Sequence, residues 1–327
     1  MVRTIILGAG ASRAVNYADR VRMLSPLDGE FYDLLQRLEV PLDSEDAAAV
    51  EDILSRAREG DLWESMERMF YTLDLRCSMK DMLFPNGPGA KRADEFRRSF
   101  ARSVQVLLKA AHAPNTMEEC QYHEDLFEPL GGCDAIITFN YDLVAESALR
   151  KKLSVAIPGE RIKFPEWLYG LSDRPDSGKD CPRLYKLHGS VNWNTASEDK
   201  GGVSVRQIDP TDPKTKEGYG GDPFLMMLPF WDKKIEGPPW DRIWKLAGEQ
   251  LLRTTNLVVW GYSLPPTDLK SRELFNLTLK APTSRIEELV VIDISPDVRR
   301  RWRRQFIEIK FRQYEGVEKY LAYEGLA

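Results

Sequence analysis

Thr4-Ile5-Ile6-Leu7-Gly8-Ala9-Gly10-Ala11-Ser12 decides the fold class. Its apolar and β-branched residues run without alternation, the pattern of a strand buried on both faces, and stop at a glycine turn. Glycines after such a strand let backbone approach a pyrophosphate, and amides at a following helix N-terminus can bind its charge. Arg13 stands where the third glycine of the full dinucleotide fingerprint would fall, so the segment also fits a tight strand-to-helix turn with Ser12 as N-cap.

Three later segments share this character: Thr138-Phe139-Asn140-Tyr141-Asp142, Lys186-Leu187-His188-Gly189-Ser190 and Trp260-Gly261-Tyr262-Ser263-Leu264. Each follows an apolar or β-branched run, so each marks the carboxyl edge of a buried strand, where open α/β sheets bind ligands. Between the first two, residues 31–38, 50–57, 63–70 and 100–108 carry apolar residues at three- and four-residue spacings, the period of amphipathic helices. Pro85-Asn86-Gly87-Pro88-Gly89 divides them into two groups.

Strand character resumes at 134–139, followed by a helix over 142–153. Residues 155–230 are mixed, with strands at 183–187 and 224–228 joined by Gly- and Pro-rich connections. The last third alternates regularly: helix 240–253, strand 257–260, helix 269–279, strand 289–293, helix 297–305 and strand 307–311. That rhythm implies right-handed crossovers and a parallel sheet. The expected fold is α/β: one domain over 1–327 built on a Rossmann-like parallel sheet flanked by helices, with a helical insertion at 16–130 after the first strand.

With 327 residues, 43% of them apolar and 30% charged, the chain falls in the globular class. The net charge of -5 opposes general nucleic-acid binding. A local exception, the run Arg299-Arg300-Arg301-Trp302-Arg303-Arg304, reads most simply as the solvated face of a helix, the alternative being a nucleic-acid or partner patch. Cys77, Cys120, Cys133 and Cys181 form no CxxC pair, which signals neither a zinc site nor a disulfide framework and fits a reduced cytoplasm. No stretch reaches the length of a membrane span, and the run at Met1 to Gly8 is too short for a signal peptide.

Several polar residues at the strand ends suit chemistry, each beside an ordinary structural alternative. Asn140 and Asp142 fit ribose or amide contacts, or a helix N-cap. His188, one of three histidines, sits between a strand and a glycine, where it suits general-base work or hydrogen-bonded packing. Gly261 and Ser263 could contact phosphate or ribose; Asp268 has a capping alternative. Asp293 occupies the strand-end position from which an acid binds adenosine ribose hydroxyls, and Ser295-Pro296-Asp297 after it is a capping signal.

Taken in order, GAGAS, TFNYD, KLHGS with Trp193 shortly after, WGYSL and VVIDIS resemble the sirtuin superfamily, and more closely the zinc-free sirtuin-like NAD hydrolases of prokaryotic antiphage systems. The resemblance runs from residue 5 to about 295, with the helical stretch matching that family's insertion. It implies that Gly8, Ala9, Gly10 and Ser12 hold the pyrophosphate and adjoining ribose of NAD. Asn140 would position the nicotinamide ribose and a water, with Asp142 beside the nicotinamide. His188 would be the catalytic base, and Gly261, Ser263 and Asp293 would line the adenosine half. NAD is implied as the substrate, with no metal. Control by homo-oligomerisation or by a HerA-type ATPase partner is implied as well, since a constitutive NAD hydrolase would harm its own cell.

The sequence departs from protein-deacylating sirtuins in two places. It lacks the cysteine pairs of their zinc ribbon, and Tyr141 stands where they carry a small aliphatic residue. Both departures disfavour an acyl-lysine acceptor and favour water. The expected activity is NAD glycohydrolysis to nicotinamide and ADP-ribose; the alternatives are a protein deacylase and a non-catalytic sensor of NAD or ADP-ribose.

Overall fold

The computed structural model describes residues 1–14, 26–38, 42–60, 65–86, 92–112, 121–153, 163–176, 180–195, 203–205, 224–227 and 237–326. Two compact units divide the chain: Met1–Tyr17, Pro114–Met227 and Lys234–Ala327 form one, Ala18–Ala113 and Leu228–Lys233 the other.

The first unit holds all the strands among the described residues: β1 (Arg3–Leu7), β2 (Ala135–Thr138), β3 (Arg183–Lys186), β4 (Gly189–Thr195), β5 (Val203–Val205), β6 (Phe224–Met226), β7 (Asn256–Trp260), β8 (Glu288–Ile292) and β9 (Lys310–Tyr314). Six of them form one sheet in the order β3-β2-β1-β7-β8-β9, parallel throughout. Ile5, Ile6, Ile136, Ile137, Val258, Val259, Val290 and Val291 are all fully buried, as continuous apolar strands require when helices cover both faces. From β1 the chain winds outward through β2 and β3, then returns to β7 on the opposite side of β1. The winding direction therefore reverses between β1 and β7, which makes their carboxyl ends the switch point of a Rossmann-like sheet.

The α-helices described in this unit are α1 (Ala9–Ser12), α6 (Gln121–Phe127), α7 (Val144–Leu153), α8 (Trp240–Arg253), α9 (Leu269–Leu279), α10 (Pro296–Gln305) and α11 (Val317–Glu324). The other unit contains α2 (Phe31–Gln36), α3 (Ser44–Gly60), α4 (Met66–Leu83) and α5 (Arg92–His112). Phe96 and Phe100, four apart on α5, meet Phe70 of α4 at 5.3 and 4.5 Å between ring centroids, and Phe31 of α2 meets Phe100 at 5.3 Å. Those rings are the centre of a helical core that rests on the spacing seen in the sequence. No described helix is long and apolar enough to cross a membrane.

One strand expectation needs correction. The final strand begins at Lys310, not Ile307, because the turn after α10 leaves Ile307 76% exposed while Phe306 takes the buried place. The strand at Phe224–Met226 pairs antiparallel with β4 in a separate sheet of order β5-β4-β6. The structure also adds β4, β5 and α11, which the pattern of the sequence did not indicate.

Glycines close the switch point. The Gly8 amide donates to the Trp260 carbonyl at 3.0 Å and the Gly10 amide to the Gly261 carbonyl at 3.1 Å, so the turn after β1 is laced to the turn after β7. Gly261 has φ of +65°, and a Cβ there would lie 2.2 Å from the Ala11 nitrogen; one on Gly8 would lie 2.3 Å from the Gly261 oxygen. Both the left-handed backbone and the absence of a side chain are therefore needed. Gly261→Ala is expected to destabilise the protein by at least about 2 kcal/mol, read as a lower urea midpoint.

Candidate functional site

Three predicted residues meet directly at the switch point. The Ser12 hydroxyl, at the end of α1, donates to Asp142 Oδ2 at 2.7 Å and accepts from Asn140 Nδ2 at 2.9 Å. Asn140 Nδ2 also donates to the Gly8 carbonyl at 2.9 Å. Both protons of that amide nitrogen are thus spent on the β1 turn, so any contact of Asn140 with a ligand falls to Oδ1. Asp142 is nearly fully buried, and its Oδ1 accepts the Val144 amide at 3.0 Å at the start of α7. One of its oxygens thus holds the first amide of α7 and the other the Ser12 hydroxyl. Ser12, by contrast, is the last residue of α1 and Gly8 its N-cap, which excludes the N-cap alternative for Ser12.

His188 is brought beside this cluster by its neighbours. Its ring lies 5.1 Å from the Phe139 ring, edge to face, and 6.3 Å from Tyr141; these are the two residues flanking Asn140. The backbone around His188 is held from several directions: Met227 N donates to its carbonyl at 2.7 Å, Trp244 Nε1 to the Leu187 carbonyl at 3.2 Å, and Leu187 N to the Thr138 carbonyl at 3.0 Å. Gly189 follows at φ +92°, where a Cβ would meet the Leu225 oxygen at 2.2 Å. His188 Nε2 lies 3.4 Å from Asp268 Oδ2. Asp268 also N-caps α9 by accepting Ser271 N, so its structural alternative is real without exhausting its contacts.

Gly8 and Gly10 contribute shape here, since their amides are engaged by the β7 turn; Ala9 opens α1 between them. Gly261 forms the opposing wall, and Ser263 is exposed on the loop beyond it. Asp293, at the end of β8, accepts the Ser295 amide at 2.8 Å; partial burial raises its carboxyl pKa against the opposing pull of that amide, Arg299 and Arg301. The arginine run is not simply a solvated face. Arg299 is buried and donates to the Asp293 and Ile294 carbonyls, Arg301 donates to the Ser263 carbonyl at 2.6 Å, and Trp302 Nε1 to the Tyr262 carbonyl at 2.9 Å. One helix thus staples both loops that follow β7 and β8. In the loop after β7, Leu264, fully buried, is held at φ +51°, a strained conformation for a non-glycine residue.

Sheet register places Lys186, Thr138, Leu7 and Trp260 in one row beneath the site. Lys186 is fully buried and donates to Glu146 Oε1 at 3.0 Å and to the Asp142 carbonyl. The Tyr169 hydroxyl donates to the same Glu146 oxygen at 3.2 Å and accepts from Asn192 Nδ2 at 3.1 Å. Burial outweighs the pull of Lys186 and raises the Glu146 pKa. This buried pair ties the loop of Asp142 to the strand that leads to His188. Lys186→Met strands the carboxylate and is expected to cost about 3–5 kcal/mol in urea denaturation. Lys186→Met with Glu146→Leu removes both charges and is expected to recover to within about 2 kcal/mol of the wild type.

His123 went unrecognised in the sequence. On α6 it shares the buried face with Leu126 and Phe127, a three- and four-residue spacing that was a usable signal. Its ring lies 4.4 Å from Trp260, and neither ring nitrogen has a hydrogen-bond partner among the described residues. Burial lowers its pKa from 6.5 to about 4, against an opposing pull from Asp142, so the imidazole is neutral at neutral pH. Because the unfolded chain takes up this proton first, His123 costs nothing electrostatically above pH 6.5 and destabilises increasingly as pH falls toward 4. The full effect is on the order of 3 kcal/mol. His123→Phe is expected to lose that part of the acid destabilisation, measured as the difference in unfolding free energy between pH 7 and pH 4.5.

Among the described residues, no group of three or more His, Cys, Asp or Glu side chains is arranged to hold a metal ion. No family model matches the sequence and no curated protein matches it. Solved structures similar to it include Sir2 in complex with the inhibitor EX-527, 2′-O-acetyl-ADP-ribose and a deacetylated p53 peptide, at a TM-score of 0.41 and 14% identity over 100% of this chain and 95% of that one. A Sir2–p53 peptide–NAD+ structure matches at 0.40 and 14%, over 100% of this chain and 94% of that one. The chain itself is a Rossmann-like α/β protein with a six-stranded parallel sheet.

Proposed function

We propose that the switch-point site hydrolyses NAD to nicotinamide and ADP-ribose. The observation that carries this reading is the hydrogen-bonded set Ser12–Asn140–Asp142, with both neighbours of Asn140 packed against the His188 ring. These are residues to which the motif resemblance assigns NAD contacts, and they lie at the sheet edge where dinucleotides bind. In this reading Asp142 meets the nicotinamide end, and Asn140 Oδ1 accepts from the nicotinamide ribose or a water. The turn at Ala9 and Ser12 borders the pyrophosphate, with Gly8 and Gly10 making room for it, and Gly261, Ser263 and Asp293 border the adenosine half.

Hydrolysis breaks the bond between the ribose C1′ and the nicotinamide nitrogen, whose electron pair leaves with nicotinamide. A water oxygen bonds C1′, and its proton passes to His188 and then to solvent. Positive charge grows on the ribose as the bond opens, and the buried carboxylate of Asp142 stabilises it. The helical stretch is an insertion in a single sirtuin-like domain on this reading. Self-association or a HerA-type ATPase would restrain the activity until antiphage defence requires it.

Nicotinamide release from NAD tests the proposal, with the full chain alone, at raised protein concentration, with a HerA-type ATPase and with an acylated peptide. Wild type is expected to release nicotinamide without peptide, and Asn140→Ala and His188→Ala to lose at least about 100-fold. Equal release by all three sinks the mechanism. Release only with peptide supports a deacylase, and binding of NAD without release under every condition supports a sensor.

A further inference from the structure

Asp268 lies in the loop that leads from β7 to α9 and is 2% exposed. Donors converge on its carboxylate: the Ser271 hydroxyl at 2.7 Å and the Tyr262 hydroxyl at 3.1 Å reach Oδ2, and the Ser271 amide reaches Oδ1 at 3.3 Å. Helix capping accounts for the last of these alone. Oδ2, the oxygen that caps nothing, is the one 3.4 Å from His188 Nε2. Tyr262 in turn stacks on Phe139 at 4.1 Å, and Phe139 meets the His188 ring edge to face. The phenol that orients the carboxylate and the ring that orients the imidazole are therefore one packed unit.

We infer that Asp268 is a positioning residue for His188, holding the proton on Nε2 so that Nδ1 is the basic nitrogen presented for proton transfer. A neutral imidazole has one donor and one acceptor nitrogen, and a fixed carboxylate beside one of them selects the tautomer. The same carboxylate stabilises the imidazolium that forms when Nδ1 takes a proton, the division of labour seen in histidine–aspartate pairs of hydrolases. The catalytic half of this inference rests on the proposed NAD hydrolysis; the pairing itself does not. Asp268 and the Tyr141 phenol are titratable groups placed around the ring, with Tyr262 acting through Asp268.

Nitrogen-15 NMR of the three histidine side chains in the full chain, without NAD, separates the two. Wild type is expected to show His188 protonated on Nε2 when neutral. Asp268→Asn keeps a capping side chain and is expected to lower the His188 pKa by at least about one unit by removing the charge. Ser271→Ala leaves the charge, removes a donor from it, and is expected to raise that pKa. A wild-type His188 protonated on Nδ1, or one pKa shared by wild type and Asp268→Asn, overturns the pairing whether or not the protein cleaves NAD. If it does cleave NAD, Asp268→Asn is expected to lower kcat at least about 100-fold with KM little changed, and to move the acid limb of the rate profile with the NMR pKa. An unchanged kcat with a shifted pKa overturns the catalytic half alone.

Discussion

Close contact between the glycine turns after β1 and β7 is the constraint on which the site depends. The Gly8 and Gly10 amides donate into the β7 end, while the Gly261 amide donates to the Ile292 carbonyl of β8, so three neighbouring strand ends are joined through backbone alone. Side chains at Gly8 and Gly261 would collide with that backbone, and the left-handed φ of Gly261 adds a conformational requirement. Once α1 is seated by this contact, Ser12 falls within hydrogen-bond reach of Asn140 and Asp142. Everything polar in the site extends outward from there.

That polar chain passes alternately through side chains and through packing. Ser12, Asn140 and Asp142 bond to one another; Phe139 and Tyr141 carry the contact to His188; Tyr262 returns it through Phe139 and Asp268. Underneath, Lys186 and Glu146 tie the Asp142 loop to β3, and above the β7 and β8 ends the arginines and Trp302 of α10 grip the loop carbonyls. Buried charges and a strained Leu264 are costly to fold, and they concentrate where the loops must be rigid.

Strands buried on both faces were legible because their apolar runs admit no other reading, and the strand-end positions of Asn140, Asp142 and His188 followed from them. β4 was hidden by Ser190 and Asn192, buried polar residues that alternate with Val191 and Trp193 and break any apolar run; Asn192 donates to Tyr169. Ile307 lent the final strand a false start, because alternation does not reveal which apolar residue a helix end leaves outside. For Gly8 and Gly10 the position was evident but the purpose was not: their amides serve the fold. Distant pairings such as His188 with Asp268 and His123 with Trp260 depend on which helices cover which face, and local spacing carries no record of that.

The central claim is that NAD occupies this switch point with its nicotinamide ribose against Asn140. A crystal structure of His188→Ala with NAD, in which cleavage is blocked and the Ser12–Asn140–Asp142 set is intact, tests it most directly. The account predicts intact NAD with its scissile bond beside Asn140 Oδ1 and its pyrophosphate along the α1 turn. NAD bound elsewhere on the chain, or a site left empty at saturating NAD, would contradict it.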